Sequence, residues 1–384
     1  MNYKTYKIAE LIDEIAMGPF GSNIKVECFV DEGIPVLNGS NLDGFTLSEK
    51  EFRYVTPEKA SSLKKANAAR GDVVITHRGT LGQIVYIPQT SKYKQYVISQ
   101  SQFRVRCNNK ILPEYMVYYF HTAIGQHKLL SNASQVGVPA LARPSSTFQQ
   151  IEIEVPSIDV QRKVVAIFGA IQDKINCSNK INDNLQQQVY ALFDSWFVSF
   201  DQADGKMPAD WREGTLGEIT TITSGKRPPM KQPTATTEVS IPLVGAASIM
   251  GFTNAVLYNE PILVTGRVGT HGVVQRFQSP CWTSDNTLVI KSEFYEYAFQ
   301  ALQRVDYVNM NRGSTQPLIT QTDLKNVSIV IPTEAILLEY EKIAGTLMAM
   351  YESNRKENER LAVLRDALLP RLMNGEIDVS NIDI

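Results

Sequence analysis

The chain has 384 residues, 43% of them hydrophobic and 20% charged, a globular profile with room for about two domains of ordinary size. Its 38 Lys and Arg against 40 Asp and Glu give a net charge of −2, which argues against a chain coated in positive charge. No apolar run approaches the roughly 18 residues of a membrane span, the opening MNYKTYKIAELIDE is too polar for a secretory leader, and the four scattered Cys form neither a zinc motif nor a disulfide framework.

The charge is unevenly spread. Residues 1–155 carry 17 Lys and Arg against 14 Asp and Glu, residues 207–332 carry ten of each, and residues 333–384 carry six against ten. Any surface for a polyanion is therefore local, or is completed by a partner. The cysteine usage fits reduced thiols in a cytoplasmic protein.

Taken in order, the elements of the first half return in the second. Residues 6–24 (YKIAELIDEIAMGPFGSNI) alternate apolar and polar side chains and end in a glycine turn, as do residues 214–228 (GTLGEITTITSGKRP). IPVLNGSNL at 34–42 matches IPLVGAASI at 241–249, and VVITHRGTLG at 73–82 matches ILVTGRVGTHG at 262–272. VISQSQFRV at 97–105 faces WTSDNTLVI at 282–290, and residues 134–157 face 311–333. β-Branched runs closed by Gly-containing turns predict short strands and loops. Each half then stops at a proline, Pro156 or Pro332, and changes period.

After Pro156 a 4-3 spacing places Val164, Phe168, Ile171, Ile175, Ser178, Asn182, Leu185, Val189, Leu192 and Trp196 on one seam. The same spacing after Pro332 picks out Ile343, Leu347, Met350, Asn354, Glu357, Leu361, Leu364 and Leu368, offset by 179 residues. This is the heptad pattern of paired helices, each about 40 residues and roughly 60 Å long, with a polar centre that fixes register or is simply wet. The segment 201–211 (DQADGKMPADW) reads as a linker. The predicted divisions are a first recognition domain at 1–156, a helix and linker at 157–206, a second domain at 207–332, and a helix and tail at 333–384.

With these elements in place, the sequence resembles the DNA specificity subunit of Type I restriction–modification systems. LFDSWFVSFD at 192–201 resembles the motif closing that family's first conserved helix. PADWREGTLGEI at 208–219 resembles the entry to its second target-recognition domain, and RDALLPRLMNGEID at 365–378 the end of its second helix. QRKVVA at 161–166 and EYEKIA at 339–344 match the family's EQxxIA-like helix start only loosely. The resemblance implies an α+β fold: two similar α/β target-recognition domains separated by two long helices in an antiparallel coiled coil, with pseudo-twofold symmetry. It also implies double-stranded DNA with a split recognition site as ligand. Two modification (methyltransferase) subunits would be partners, with two restriction (ATPase and nuclease) subunits. S-adenosylmethionine, ATP and Mg would then sit on those partners, with no cofactor, catalytic residue or metal in this chain. A rod of roughly 60 Å would span somewhat under two duplex turns of about 34 Å.

Motifs for chemistry are indeed missing from the sequence. There is no GxxxxGK[ST] phosphate cradle and no Asn/Asp-Pro-Pro-aromatic string. Asp323-Leu324-Lys325 has a nuclease-like spacing that chance readily produces. His121 and His127 fit packing or surface roles, whereas His77 and His271 lie beside the repeated Arg-containing loops.

Groove readout needs Arg, Lys, Asn, Gln, Ser or Thr on loops. In the first domain the candidates are Ser22, Asn23, Lys25, Asn38, Ser40, Asn41, Arg78, Thr80, Ser99, Gln100, Gln102, Gln135 and Arg143. In the second they are Lys226, Arg227, Lys231, Arg267, Thr270, Ser284, Asn286, Arg312, Thr315 and Gln316. Arg78 with Arg267, and Gln135 with Gln316, recur at matching places. The competing interpretation is ordinary turn chemistry. The whole-chain alternative is a coiled-coil scaffold protein without DNA recognition. Tyr190, Phe193, Trp196, Phe197 and Phe200 either pack on the chain's own domains or dock a methyltransferase subunit.

Overall fold

The computed structural model describes residues 3–19, 23–134, 137–270, 272–310, 318–380 and 382. The chain folds as two units, Met1–Asn176 with Asn358–Ile384, and Cys177–Glu357. Each contains one sheet-based head together with segments of two 40-residue helices, Ile158–Phe197 and Glu334–Met373.

In the first unit a four-stranded antiparallel sheet runs in the order Ile12–Met17, Gln102–Cys107, Asp72–Thr76, Ile84–Tyr86. Asp72–Thr76 is buried along its whole length, which explains its unbroken DVVIT run. A second sheet orders Phe29–Val30, Arg53–Val55, Ile34–Val36, Gln95–Val97 and Asn67–Ala69. Leu37, Val74, Val85 and Tyr96 help fill a common core. Finally, Lys4–Lys7 pairs antiparallel with Glu152–Val155, closing the head just before the long helix.

The second unit repeats this plan. Its main sheet runs Thr221–Ser224, Thr287–Lys291, Ile262–Gly266, Gln275–Phe277. Among the described residues its smaller sheet has three strands, Ile249–Thr253, Ile241–Val244 and Trp282–Thr283. Arg212–Thr215 and Ser328–Ile331 form the closing ribbon. The repeated Ile-Ala-Glu and Leu-Gly-Glu strings have one local cause. Glu10 Oε2 accepts from the Lys7 N–H at 2.8 Å, and Glu218 Oε1 from the Thr215 N–H at 2.7 Å. Each Glu thus ties off the first turn after the closing strand.

Both long helices start two residues after a proline, and their starts are 176 residues apart. This corrects the offset of 179. Gly169 matches Gly345, Phe168 matches Ala344, and Asn182 matches Asn358. The seam of the second helix shifts accordingly: Leu337, Tyr340, Ala344 and Met348 are buried, whereas Ile343 and Met350 are 38% and 51% exposed and Glu357 and Leu364 also face outward. A 4-3 spacing looks alike in several frames, and the head packed on the first turns decides which frame is buried.

Within each unit the helix segments run antiparallel. In the first, Val164 and Phe168 share a core with Leu369, Leu372, Met373 and Val379, and Arg365 donates to Gln172 Oε1 at 3.0 Å. In the second, Val189, Phe193 and Phe197 share a core with Leu337, Tyr340, Ala344 and Met348. The polar layer there is bonded: Asn354 Nδ2 donates to Asn182 Oδ1 at 2.9 Å, and Asn182 Nδ2 donates to the Tyr351 carbonyl at 3.3 Å. Such pairing fixes register because any slip buries unsatisfied amides.

The motifs near the helix ends are packing devices. Phe193 and Phe197 sit against Tyr297 and Tyr340, Trp211 of the PADW string lies 5.7 Å from Phe197, and Asp194 pairs with Arg304 at 2.7 Å. Packing on the chain's own domain therefore accounts for Phe193 and Phe197. Gly375 follows the second helix with φ +76°, where a Cβ would lie 2.8 Å from the Tyr3 ring, and Val379 turns back into the first head's core.

Glu341 caps the helix Tyr295–Gln303, accepting from the N–H groups of Glu296 and Tyr297 at 3.1 and 2.8 Å. Burial pushes its carboxyl from an ordinary 4.5 up to about 7. Because the folded value is the higher one, this group's contribution to stability is present below pH 4.5. It is lost as pH rises through about 7. All three Trp lie in the second unit, so tryptophan emission reports its unfolding. Glu341→Gln is expected to remove the decline in urea midpoint between pH 4.5 and 8 and to exceed the wild type at pH 8. An unchanged pH profile would contradict the assignment.

Candidate nucleic-acid interface

The same three backbone segments meet at one edge of each head. In the first they are the exit of Ile12–Met17, the exit of Asp72–Thr76, and the turn Ser99–Gln102. The Gly18 N–H donates to the Gln102 carbonyl at 2.8 Å, and the His77 N–H to the Ser101 carbonyl at 2.9 Å. In the second head the Gly225 N–H donates to the Thr287 carbonyl at 3.1 Å, and the Arg267 N–H to the Asn286 carbonyl at 2.8 Å. Both junctions need glycine. A Cβ on Gly18 would lie 1.8 Å from the Ser99 carbonyl oxygen, and one on Gly225 2.1 Å from that of Ser284.

These bonds set the true correspondence between heads. His77 and Arg267 each accept a further bond, at 2.8 Å from the Leu141 N–H and 3.0 Å from the Ile319 N–H. His77 is therefore the equivalent of Arg267, and Arg78 corresponds to Val268, one place from the pairing expected from the repeat.

In the first head this edge opens into a cleft of about 760 Å³. Asn23, Arg78 and Gln100 line it together with His77, Lys59, Lys64 and Lys65. Burial holds the His77 imidazole below its ordinary pKa, and its Nε2 lies 3.1 Å from the Gln100 carbonyl. It is thus a neutral hydrogen-bonding group rather than a cation. Lys25, Asn38, Ser40 and Thr80 are exposed, with Asn38 Oδ1 accepting from the Ser40 N–H at 2.9 Å. Ser99 is half-buried at the turn. Arg143 lies apart, in a different opening with His127 and Lys128.

In the second head Lys226 and Arg227 are exposed directly after Gly225, and the Lys226 carbonyl accepts from Trp282 Nε1 at 2.8 Å. Arg267 is half-buried, Asn286 and Thr270 are exposed, and Lys231 is exposed beside the small sheet.

Three candidates are corrected. Asn41 is 0% exposed and donates to the Ser48 and Lys50 carbonyls at 3.0 and 2.8 Å. Gln102 is 1% exposed, its Oε1 accepting from the Ser99 N–H at 2.9 Å, and Ser284 is 4% exposed, its carbonyl taking the Thr287 hydroxyl at 2.6 Å. All three lie inside the turns instead of facing outward: the Asn41 and Gln102 side chains bond the backbone of their own turns, and Ser284 serves through its carbonyl. Ser22, Gln135, Arg312, Thr315 and Gln316 lie outside the described residues, as does His271.

Sequence reasoning missed Lys59, Lys64 and Lys65. Their signal was available: KASSLKK at 59–65 has no counterpart in the second half. Other sequence signals dissolve into structure. Asp323 accepts from the Thr320 N–H at 2.9 Å as part of a helix cap, and His121 Nε2 lies 2.9 Å from the Ile84 carbonyl. Among the described residues no group of His, Cys, Asp and Glu is placed to hold a metal ion.

Two copies of one domain are also what comparison finds. The Type I restriction modification DNA specificity domain matches residues 3–187 and again residues 208–365. The chain belongs to this family. It is a Type I specificity subunit with two target-recognition domains. It is similar to the Type I restriction enzyme MjaIX specificity subunit of Methanocaldococcus jannaschii, with 23% identity covering 97% of this chain and 93% of that one. The HindI specificity subunit of Haemophilus influenzae is 22% identical, with coverage of 80% and 87%. Among solved structures, the S subunit of the Type-I restriction-modification system from M. genitalium matches with a TM-score of 0.64 at 16% identity. That match covers 99% of this chain and 97% of that one, and it supports the fold.

Proposed function

We propose that this specificity subunit binds duplex DNA at a split site, one head to each half, and carries out no chemistry itself. The carrying observation is the duplicated edge: one backbone junction built twice, with His77, Arg78 and Gln100 at one copy and Lys226, Arg267 and Asn286 at the other. A fixed frame with diverged side chains is what two readers of different base sequences require. Arg and Lys there hold phosphates and guanines, and Asn and Gln suit adenine.

The chemistry then resides on partners: two methyltransferase subunits with S-adenosylmethionine, and two restriction subunits with ATP and Mg. Leu338, Ile343, Met350, Val363 and Leu364, exposed on the second long helix, offer apolar contacts for the methyltransferase. The assembly works in the cytoplasm, beside the DNA. No described helix is long and apolar enough to cross a membrane.

Methylome sequencing of the host with and without the gene tests the proposal. One split methylation motif should vanish with the gene and return on complementation. Loss of no motif in a host with active partner subunits, or loss of a contiguous one, would overturn it.

A further inference from the structure

The two heads are not equally equipped to hold a polyanion. Between Val55 and Asp72 the first head carries a segment that forms the helix Pro57–Ser62, a short turn at Lys64–Ala66 and the strand Asn67–Ala69. At the same topological place the second head passes from Thr253 to Ile262 with no helix and no extra strand. The inserted segment brings Lys59, Lys64 and Lys65 to the cleft shared with His77, Arg78 and Gln100. Its short counterpart, residues 254–261, has no Lys or Arg, and its one charged side chain, Glu260, is already paired with Lys291.

The lysines stand on a fixed base. Arg104 Nε donates to the Lys65 carbonyl at 2.9 Å, and Arg104 itself is anchored to Glu14 at 3.0 Å. Asn67 Nδ2 donates to the Ala60 and Lys64 carbonyls, both at 2.7 Å. Lys64 is held at φ +48°, a backbone conformation that lysine adopts only when its surroundings impose it. Ala60, Ala66 and Ala68 face the core, leaving the cationic side outward. Lys64 and Lys65 are exposed and Lys59 is half-buried, and of the three Lys65 lies near enough to Glu14 to help hold that carboxyl below its ordinary pKa.

We infer that Lys59, Lys64 and Lys65 form a phosphate clamp that only the first head possesses, so that the two half-sites of the DNA are held unequally. The first head supplies most of the salt-dependent grip. Among the described residues the second relies on Lys226, Arg227, Lys231 and Arg267. This inference rests on the split-site reading above and adds an asymmetry that the reading does not require.

The test uses the full chain co-purified with its methyltransferase subunit, and a labelled duplex carrying the split site found by methylation mapping, beside a scrambled duplex. Each phosphate contact contributes about 0.9 to the slope of log affinity against log salt. Lys64→Gln with Lys65→Gln should lower that slope by about 1.8, and phosphate-ethylation interference should disappear beside one half-site only. Lys64→Glu, a second variant on an exposed side chain, should weaken binding at low salt while leaving the melting temperature unchanged. A slope equal to wild type, or interference lost evenly on both half-sites, would overturn the clamp alone. A wild-type complex that fails to prefer the split duplex over the scrambled one would overturn the parent reading, and the clamp with it.

Discussion

Replacing Arg276 with methionine is expected to unfold the second unit at temperatures that the wild type withstands. Arg276 and Glu296 are 7% and 6% exposed and form a two-pronged ion pair, one arm of which donates to Glu296 Oε1 at 2.6 Å. The guanidinium also lies 5.0 Å from the Tyr295 ring and 4.7 Å from the Phe299 ring. Methionine fills much of the same volume but leaves Glu296 buried and unpaired, close to the buried carboxyl of Glu341. Breaking a buried pair from one side costs about 3–5 kcal/mol, because the orphaned charge keeps its desolvation penalty. For a unit of this size that corresponds to a fall in Tm on the order of 10 °C. Tryptophan emission on heating reads it directly. Adding Glu296→Gln to the same chain should recover part of the loss, since the uncompensated charge is then gone. A Tm for Arg276→Met within a degree or two of wild type would show that the pair is dispensable.

Gly225→Ala is expected to disable one reading head while the other still reads. The added methyl would lie 2.1 Å from the Ser284 carbonyl oxygen and 2.6 Å from Thr287 Oγ1, so the strand exit must lift away from the turn. Lys226 and Arg227 move with it, and Arg267 loses its fixed relation to Asn286. Overpacking of this kind costs about 1–3 kcal/mol, and at 1.4 kcal/mol per decade the affinity for the full site falls roughly ten- to a hundredfold. Footprinting should lose protection over one half-site. Gly18→Ala, whose methyl would meet the Ser99 carbonyl, should remove the other. Gly169→Ala, with open space at its Cβ, is the matched neutral change. Loss of both half-sites together in Gly225→Ala, with the protein folded, would mean that the heads do not act separately.

Much of this architecture was legible in the amino acids. The repeat gave the two heads because glycine turns and β-branched runs recur in one order, and prolines mark where strands yield to helices. The length of the helices followed from an uninterrupted heptad pattern. Register was the harder quantity. The helix offset came out three residues too long because a 4-3 spacing stays apolar when slid by three, and only the packing of Tyr340 and Ala344 against the second head selects the frame. The pairing of Arg78 with Arg267 failed for a related reason: both segments hold an Arg near a Gly-Thr, but backbone bonds to Ser101 and Asn286 align His77 with Arg267.

At the candidate site, residue type told which loops matter but not which side chains face outward. Gln100 reaches the cleft while Gln102, two residues on, turns inward to bond the Ser99 N–H. The lysines of the insertion escaped notice because a search by repetition passes over what is not repeated. That segment is where the two heads differ most.

On the proposed function each head reads its own half of the site independently of the other. A chain in which residues 4–155 are copied in place of residues 212–331 puts this to the test. Both segments begin at the closing strand and end just before a long helix. Methylome sequencing should then find a new motif made of two copies of the half-site that the first head reads. Persistence of the original second half-site in that chain's motif would contradict the account.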